Sequence, residues 1–239
     1  MPNKDSTVYT FTFALIVCVI CSFLLALISQ GLRPRKEMNA ALDVKKNILK
    51  AVELQEPLSP KASAKDIEKV YNTKITEQVI DPTGKVVQGK KPADIKEGEK
   101  LYPLYTYKED GKIIAYAFPI VGKGLWSTLY GYLALQPDAK IIRGITFYKD
   151  GETPGLGAEI EKDWFQNNFK GKSIWDFKNN KLWPVAVIKG KVADKISDKD
   201  KATHYVDGIS GATLTGKGVT AMMDKEVKKY DPFFSKIRH

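Results

Sequence analysis

The chain has 239 residues, a formal charge of +10, and 43% hydrophobic and 28% charged residues. That suffices for one core plus an appendage and excludes a fibrous or wholly disordered protein. The charge comes mostly from lysines scattered along the chain (Lys45, Lys46, Lys90, Lys91, Lys172, Lys228, Lys229), with only Arg33, Arg35, Arg143 and Arg238 as arginines. This is a solvated surface and not the clustered Arg and aromatic face of a nucleic-acid binder.

Residues 1–7 form a short tail, and residues 8–28 hold 21 residues without a charge. At ~1.5 Å per residue that stretch crosses a ~30 Å hydrocarbon layer and predicts one transmembrane helix. A cleaved signal peptide would have a shorter apolar region and a small-residue cleavage site, which does not follow Ala26. Cys18 and Cys21 lie inside the span, and no later cysteine is available for a disulfide, thiolate metal site or nucleophile. By the positive-inside rule, Lys4 and the terminal amine against Arg33, Arg35 and Lys36 favour a cytoplasmic C-terminal side.

Residues 29–62 are expected to form a helical stalk and linker. Met38, Ala41, Leu42, Ile48, Leu49 and Val52 recur at helical spacing, and Pro57 and Pro60 end the helix. From residue 63 an α+β domain is expected. Ser63 and Asp66 suggest a capping box for a short helix to about Tyr71; Asp81-Pro-Thr-Gly84 is a turn, and residues 89–100 an exposed lysine-rich loop. Residues 113–121, 125–135 and 141–148 predict three antiparallel strands, the last two joined by a turn at Pro137-Asp138. A turn-rich loop over 149–157 precedes a helix carrying Ile160, Trp164, Phe165 and Phe169. Residues 184–189 suggest a strand, and a last helix from near Gly216 carries Val219, Met222, Met223 and Val227 before Pro232.

His204 and His239 are the only histidines, so material for a His-based triad, a HExxH site or a metal cluster is missing, and no catalytic residue or metal ligand is expected. No phosphate loop or dinucleotide fingerprint occurs. The unusual stretch is Asp207-Gly-Ile-Ser-Gly-Ala-Thr213, continuing Leu214-Thr215-Gly216-Lys217-Gly218. Its glycines allow backbone N–H groups to approach an anion, a helix N-terminus follows, and Lys217 adds a full positive charge. The plain structural reading is a glycine-rich loop in which Thr213 or Thr215 caps the helix.

The threonine element resembles the site at which flavin-carrying electron-transport proteins hold FMN covalently, by a phosphoester to the last threonine. The Glu152-Thr-Pro-Gly-Leu-Gly157 string, the Gly122-Lys-Gly-Leu-Trp-Ser127 segment and Lys45-Lys-Asn-Ile-Leu-Lys50 make nearly the whole chain similar to the NqrC family, the C subunits of the Na+-translocating NADH:quinone reductases. The related RnfG family, from the Rnf ferredoxin:NAD reductase complex, shares the first two loops and lacks the Gly-Leu-Trp-Ser pattern. It is the nearer alternative. A membrane-tethered extracytoplasmic binding domain without flavin is the more distant one.

The resemblance implies an FMN-binding part over about 113–230 and one covalent FMN on Thr213, with Thr215 the alternative acceptor. Ser210, Gly211, Ala212, Leu214 and Thr215 would shape the turn and bond to the phosphate or ribityl oxygens. Glu152, Thr153 and Leu156 would line the ring site. Trp126 either packs on the ring or is a core tryptophan. Lys189 either faces the flavin or is a surface lysine. Asp207 is read by the attaching enzyme or forms a turn.

A threonine hydroxyl without a positioned base is a weak nucleophile, so self-attachment is not expected. The resemblance implies a flavin transferase that uses FAD as donor. It further implies an electron relay in a six-subunit bacterial inner-membrane complex that couples NADH oxidation and quinone reduction to Na+ export. The N-terminus would be cytoplasmic and the flavin domain periplasmic, opposite to the charge count. No motif for a direct NADH, sodium or quinone site is present.

Overall fold

The computed structural model describes residues 6–54, 59 and 62–238. Pro57, Pro60 and His239, together with most of the N-terminal tail, lie outside the described residues. The chain divides into two units, 1–44 and 45–239.

Helix α1 (Thr7–Ala51) begins in the first unit and ends in the second. It is long and apolar enough to cross a membrane, and its apolar window has no side chain buried in the protein. Phe11, Phe13, Leu15, Ile16, Val17 and Leu25 are exposed and together spread round all sides of the helix. A helix that is apolar all round requires an apolar surrounding. Helix α1 runs without a break from the apolar stretch into the residues expected to form the stalk, with Pro34 in its interior. Of its predicted apolar face, only Ile48, Leu49 and Val52 are buried, while Met38 is exposed.

The second unit is built on a five-stranded antiparallel sheet in the order β1 (Ile75–Ile80), β2 (Tyr102–Glu109), β3 (Lys112–Lys123), β4 (Thr128–Leu135), β5 (Ile142–Lys149). Each strand pairs with its successor, the simplest route for a chain with short connections. Strands β3, β4 and β5 are the three expected from the sequence; β1 and β2 were not expected. Leu125 to Ser127, expected in the second strand, form the β3–β4 loop instead.

Alternation puts Phe118, Ile120, Leu129 and Leu133 on one face. There they pack with α6 (Thr213–Phe234) through Val219, Met222, Met223 and Tyr230, the Phe118 and Tyr230 rings lying 4.2 Å apart. The other face carries Tyr105, Ala117, Tyr132 and Gly144. Residue 144 must be glycine because a Cβ there would run into the Ala51 carbonyl. This face is closed by the end of α1, where Arg143 Nε donates to the Val52 carbonyl at 2.7 Å, and by α2 (Ala64–Lys74). The Ser63–Asp66 capping box that starts α2 forms as the sequence predicts.

After β5 a 3-10 turn (Gly157–Glu161) and the single-turn α3 (Asp163–Asn167) replace the expected longer helix, burying Phe165 and Phe169 and leaving Trp164 half exposed. The β6–β7 hairpin (Trp175–Asp176, Lys181–Leu182) follows. The predicted 184–189 strand shrinks to β8 (Ala186–Val187), paired in parallel with β9 (Tyr205–Val206). Short helices α4 (Val192–Lys195) and α5 (Lys199–Ala202) lie between them. Helix α6 begins three residues earlier than the sequence suggested, and Pro232 sits within its last turn.

Candidate functional site: the cleft at the start of α6

Because α6 starts at Thr213, the threonine opens the helix and is not part of the loop before it. The preceding turn closes with Ala212 N–H donating to the Ile209 carbonyl at 3.2 Å. Gly211 takes φ +74°, a conformation that costs glycine nothing. Ala212 has extended φ, and no side chain caps the helix. The first intrahelical bond recorded is Gly216 N–H to the Ala212 carbonyl. The N–H groups of Thr213, Leu214 and Thr215 therefore have no protein partner among the described residues. An uncapped helix start of this kind attracts phosphate oxygens.

Thr213 is exposed and Thr215 is 1% exposed. The Thr215 hydroxyl donates to Glu152 Oε2 at 2.7 Å. Glu152, 6% exposed, also accepts from the backbone N–H groups of Leu125 (3.2 Å), Trp126 (2.8 Å) and Ser127 (3.1 Å). Burial opposes its ionisation most strongly, but the bonds from Thr215, Trp126, Ser127 and Leu125 together outweigh burial and hold the carboxyl below the usual carboxylate range.

Between these elements lies a cleft of about 380 Å³, lined by Trp126, Thr153, Leu156, Gly211, Thr213 and Leu214, with Glu152, Ala212 and Thr215 also in its wall. Trp126 is 72% exposed, Leu214 53% and Leu156 41%. The core reading of Trp126 is thus excluded: its main chain is tied to Glu152 and its ring stands free at the rim.

The structure brings Thr213, Gly211, Ala212, Leu214, Thr215, Glu152, Thr153, Leu156 and Trp126 together and leaves out two sequence candidates. Ser210 is exposed and is not part of the lining. Lys189 is exposed on the segment that presses against Gly208, away from the lining. Two supporting expectations are also corrected. Lys217 lines a different groove, with Trp183, Pro184 and Asp224. Gly216 and Gly218 lie inside α6, where they let the helix approach Val187 and the Lys123 carbonyl. Asp207 accepts from the Val192 N–H at 2.7 Å and so braces the start of α4.

Leu125 and Gly157 join the lining without having been singled out. The signal for Leu125 was the uninterrupted Gly-Leu-Trp-Ser segment, misassigned to a strand.

The set fits a phosphate with a flat apolar group. Free N–H donors and an exposed hydroxyl stand at one end, and a tryptophan and two leucines stand open to solvent beside them.

Comparison with known proteins bears directly on this cleft. The family described as FMN-binding domain matches residues 124–228. A Pseudomonas aeruginosa protein named as the C subunit of a Na(+)-translocating NADH-quinone reductase is 34% identical, with 100% of this chain and 98% of the relative covered. The chain belongs to the NqrC family of Na(+)-translocating NADH-quinone reductases. A Haemophilus ducreyi relative of the same name is 37% identical over 91% of this chain and 88% of its own length. Among solved structures, the family member from Parabacteroides distasonis superposes with a TM-score of 0.71 at 33% identity, covering 85% of this chain and 97% of that one. Shewanella oneidensis NqrC gives 0.70 at 26% identity, covering 85% and 99%. These relatives decide for NqrC over the Rnf-type alternative, and the domain match decides against a flavin-free binding module.

Proposed function

We propose that this chain is the electron-relay subunit of a Na+-translocating NADH:quinone reductase and carries one FMN covalently, as a phosphoester on Thr213. The observation that carries the reading is the uncapped start of α6, with an exposed threonine as its first residue beside an apolar-rimmed cleft. Thr215, the alternative acceptor, is buried with its hydroxyl committed to Glu152, which favours Thr213.

When bound, FMN supplies the redox chemistry. The chain's own part is to hold and orient. The N–H groups of Thr213, Leu214 and Thr215 would face the phosphate, with Ser210, Gly211 and Ala212 shaping the turn. Trp126, Thr153, Leu156 and Leu214 would flank the ring. Attachment is assigned to a flavin transferase. The Thr213 Oγ–P bond forms, the phosphoanhydride bond of FAD breaks and releases AMP, and the hydroxyl proton passes to the transferase's base.

In the same reading the flavin-binding part spans about 113–230. The helix in α1 anchors the chain once in the bacterial inner membrane, N-terminus inside and domain outside. The other five subunits of the complex bind NADH, quinone and sodium.

The test is flavin fluorescence at the gel position of the denatured full-length protein, co-expressed with the transferase. The wild type should fluoresce and Thr213→Val should be dark. Absence of a wild-type band sinks the covalent reading; a bright Thr213→Val band moves the acceptor.

A further inference from the structure

The Gly-Leu-Trp-Ser segment has a physical explanation that lies in Glu152. Three successive N–H groups, of Leu125, Trp126 and Ser127, converge on one carboxylate. Converging backbone donors of this kind make an anion-binding nest. The loop closes on itself through Gly124 N–H to the Ser127 carbonyl at 2.8 Å. The Ser127 hydroxyl accepts from Gly151 N–H at 2.7 Å, tying the nest to the segment that carries Glu152. The Glu152 N–H in turn donates to Asp150 Oδ1 at 2.8 Å. The carboxylate is packed tightly: a Cβ at residue 124 would lie 2.5 Å from Glu152 Oε1, and one at residue 157 would lie 2.8 Å from Glu152 Cβ. The nest is thus occupied by the protein's own anion. The remaining strong bond of that anion, from Thr215, reaches the first turn of α6.

We infer that Glu152 is a positioning residue whose carboxylate locks the 124–127 loop to the first turn of α6, and so fixes the spacing between the Trp126 ring and Thr213. It acts through the two segments it joins, where family resemblance would make it a ring contact. The inference rests on the proposed flavin site for its consequence, not for its geometry. Replacing Glu152 by glutamine removes the charge that three N–H groups and a hydroxyl converge on; the amide has one oxygen acceptor where the carboxylate has two.

Charged groups on the surrounding elements are Asp150 on the same loop, Lys123 at the end of β3, Lys217 on α6, and Glu159 and Glu161 on the 3-10 turn. Burial and Asp150 push the Glu161 carboxyl up, so it titrates apart from Glu152.

The experiment has two arms, both on the full chain in detergent. In flavin-free Thr213→Val protein, the amide resonances of Leu125, Trp126 and Ser127 are followed from neutral to acidic pH. They should move together on one curve. In Thr213→Val/Glu152→Gln that shared titration should vanish, while the resonances of the α6–β3 core keep their positions. In flavin-loaded protein, Glu152→Gln should lose anisotropy of flavin fluorescence relative to wild type, and Thr215→Val should lose part of it. Amides that titrate independently, or a shared curve that survives Glu152→Gln, overturn the clamp. Unchanged flavin anisotropy in Glu152→Gln overturns its role in spacing. If no flavin is attached at all, the proposed function fails while the amide arm still decides the clamp.

Discussion

Two clefts of the domain make an instructive pair, and of the two the Thr213 cleft is the one with groups left over for a ligand. The second, of about 280 Å³, is lined by Phe177, Trp183, His204, Asp176, Asp198 and Asp200. Its polar groups are largely satisfied by the protein. Asp176 accepts from two backbone N–H groups and from Asn179 Nδ2. Asp198 caps α5, and Asp200 pairs with Lys178 at 2.8 Å. His204 donates from Nδ1 to the Ser173 carbonyl while stacking on Trp183 at 4.3 Å. At the Thr213 cleft the arrangement is reversed. The anion nest is filled from within by Glu152, and the helix start and the apolar rim are left free. Unmet donors beside exposed apolar surface, more than depth or charge count, distinguish a place for a ligand from a place where loops meet.

The sharpest way to break this contrast is to fill the wall between Glu152 and Thr215. A Cβ at residue 157 would stand 2.6 Å from Thr215 Oγ1. Gly157→Val should therefore cost about 1–3 kcal/mol by overpacking and reduce the flavin band severalfold. Thermal melts and in-gel fluorescence measure the two effects. A full band on a protein of unchanged stability would show that the wall is not needed.

Acid should act next most strongly. The Glu152 carboxyl lies below its ordinary 4.5. A carboxyl depressed by folding contributes stability that is complete above the unfolded value and is lost as pH falls through the folded one. Asp66, Asp81 and Glu109 are also lowered, by bonds from Ser63, Thr83 and Lys74. The informative quantity is therefore the difference in melting temperature between wild type and Glu152→Gln. That gap should be widest at neutral pH and shrink below about pH 4.5. A gap independent of pH would mean that the charge is not what the nest holds.

How much of this was legible beforehand follows from what each residue needs. Ser63 and Asp66 act within one turn, so the α2 cap could be read directly. Strands β3 to β5 carry long apolar alternation and were found. β1 was missed because it follows α2 with no breaker between Lys74 and Ile75, and β2 because Pro103 interrupts it. Thr213 was marked by its glycine-rich element, but its place as first residue of α6 depends on Ala212 backbone geometry that no side chain announces. The Glu152 bonds to Trp126 and Thr215 span 26 and 63 residues, and no local pattern encodes such pairings. The same limit explains Lys189 and Lys217: sequence proximity to the motif said nothing about which groove each would face.

At the second cleft, Trp183→Ala removes the stack on His204, and such ring pairs contribute about 0.5–1.5 kcal/mol beyond their area. The melting temperature should fall by a few degrees, with the flavin band at wild-type intensity. Loss of the band would mean that the two clefts are coupled, and the distinction drawn between them would not hold.

The smallest effect on stability is expected at Trp126. Its ring is 72% exposed, and its tie to Glu152 runs through the backbone N–H, which alanine retains. Trp126→Ala should change stability by no more than about 0.5 kcal/mol, as for other surface positions. The flavin band should also persist, because Thr213 and the start of α6 are untouched. The expected change is confined to the cofactor's surroundings. With the indole gone, flavin fluorescence should brighten through loss of quenching, and the flavin's near-UV dichroism should weaken. A brighter flavin on an equally stable protein would place the ring beside Trp126. An unchanged spectrum would mean that the ring lies toward Leu156 and Leu214, and would reduce Trp126 to an exposed side chain on a loop that Glu152 holds for other reasons.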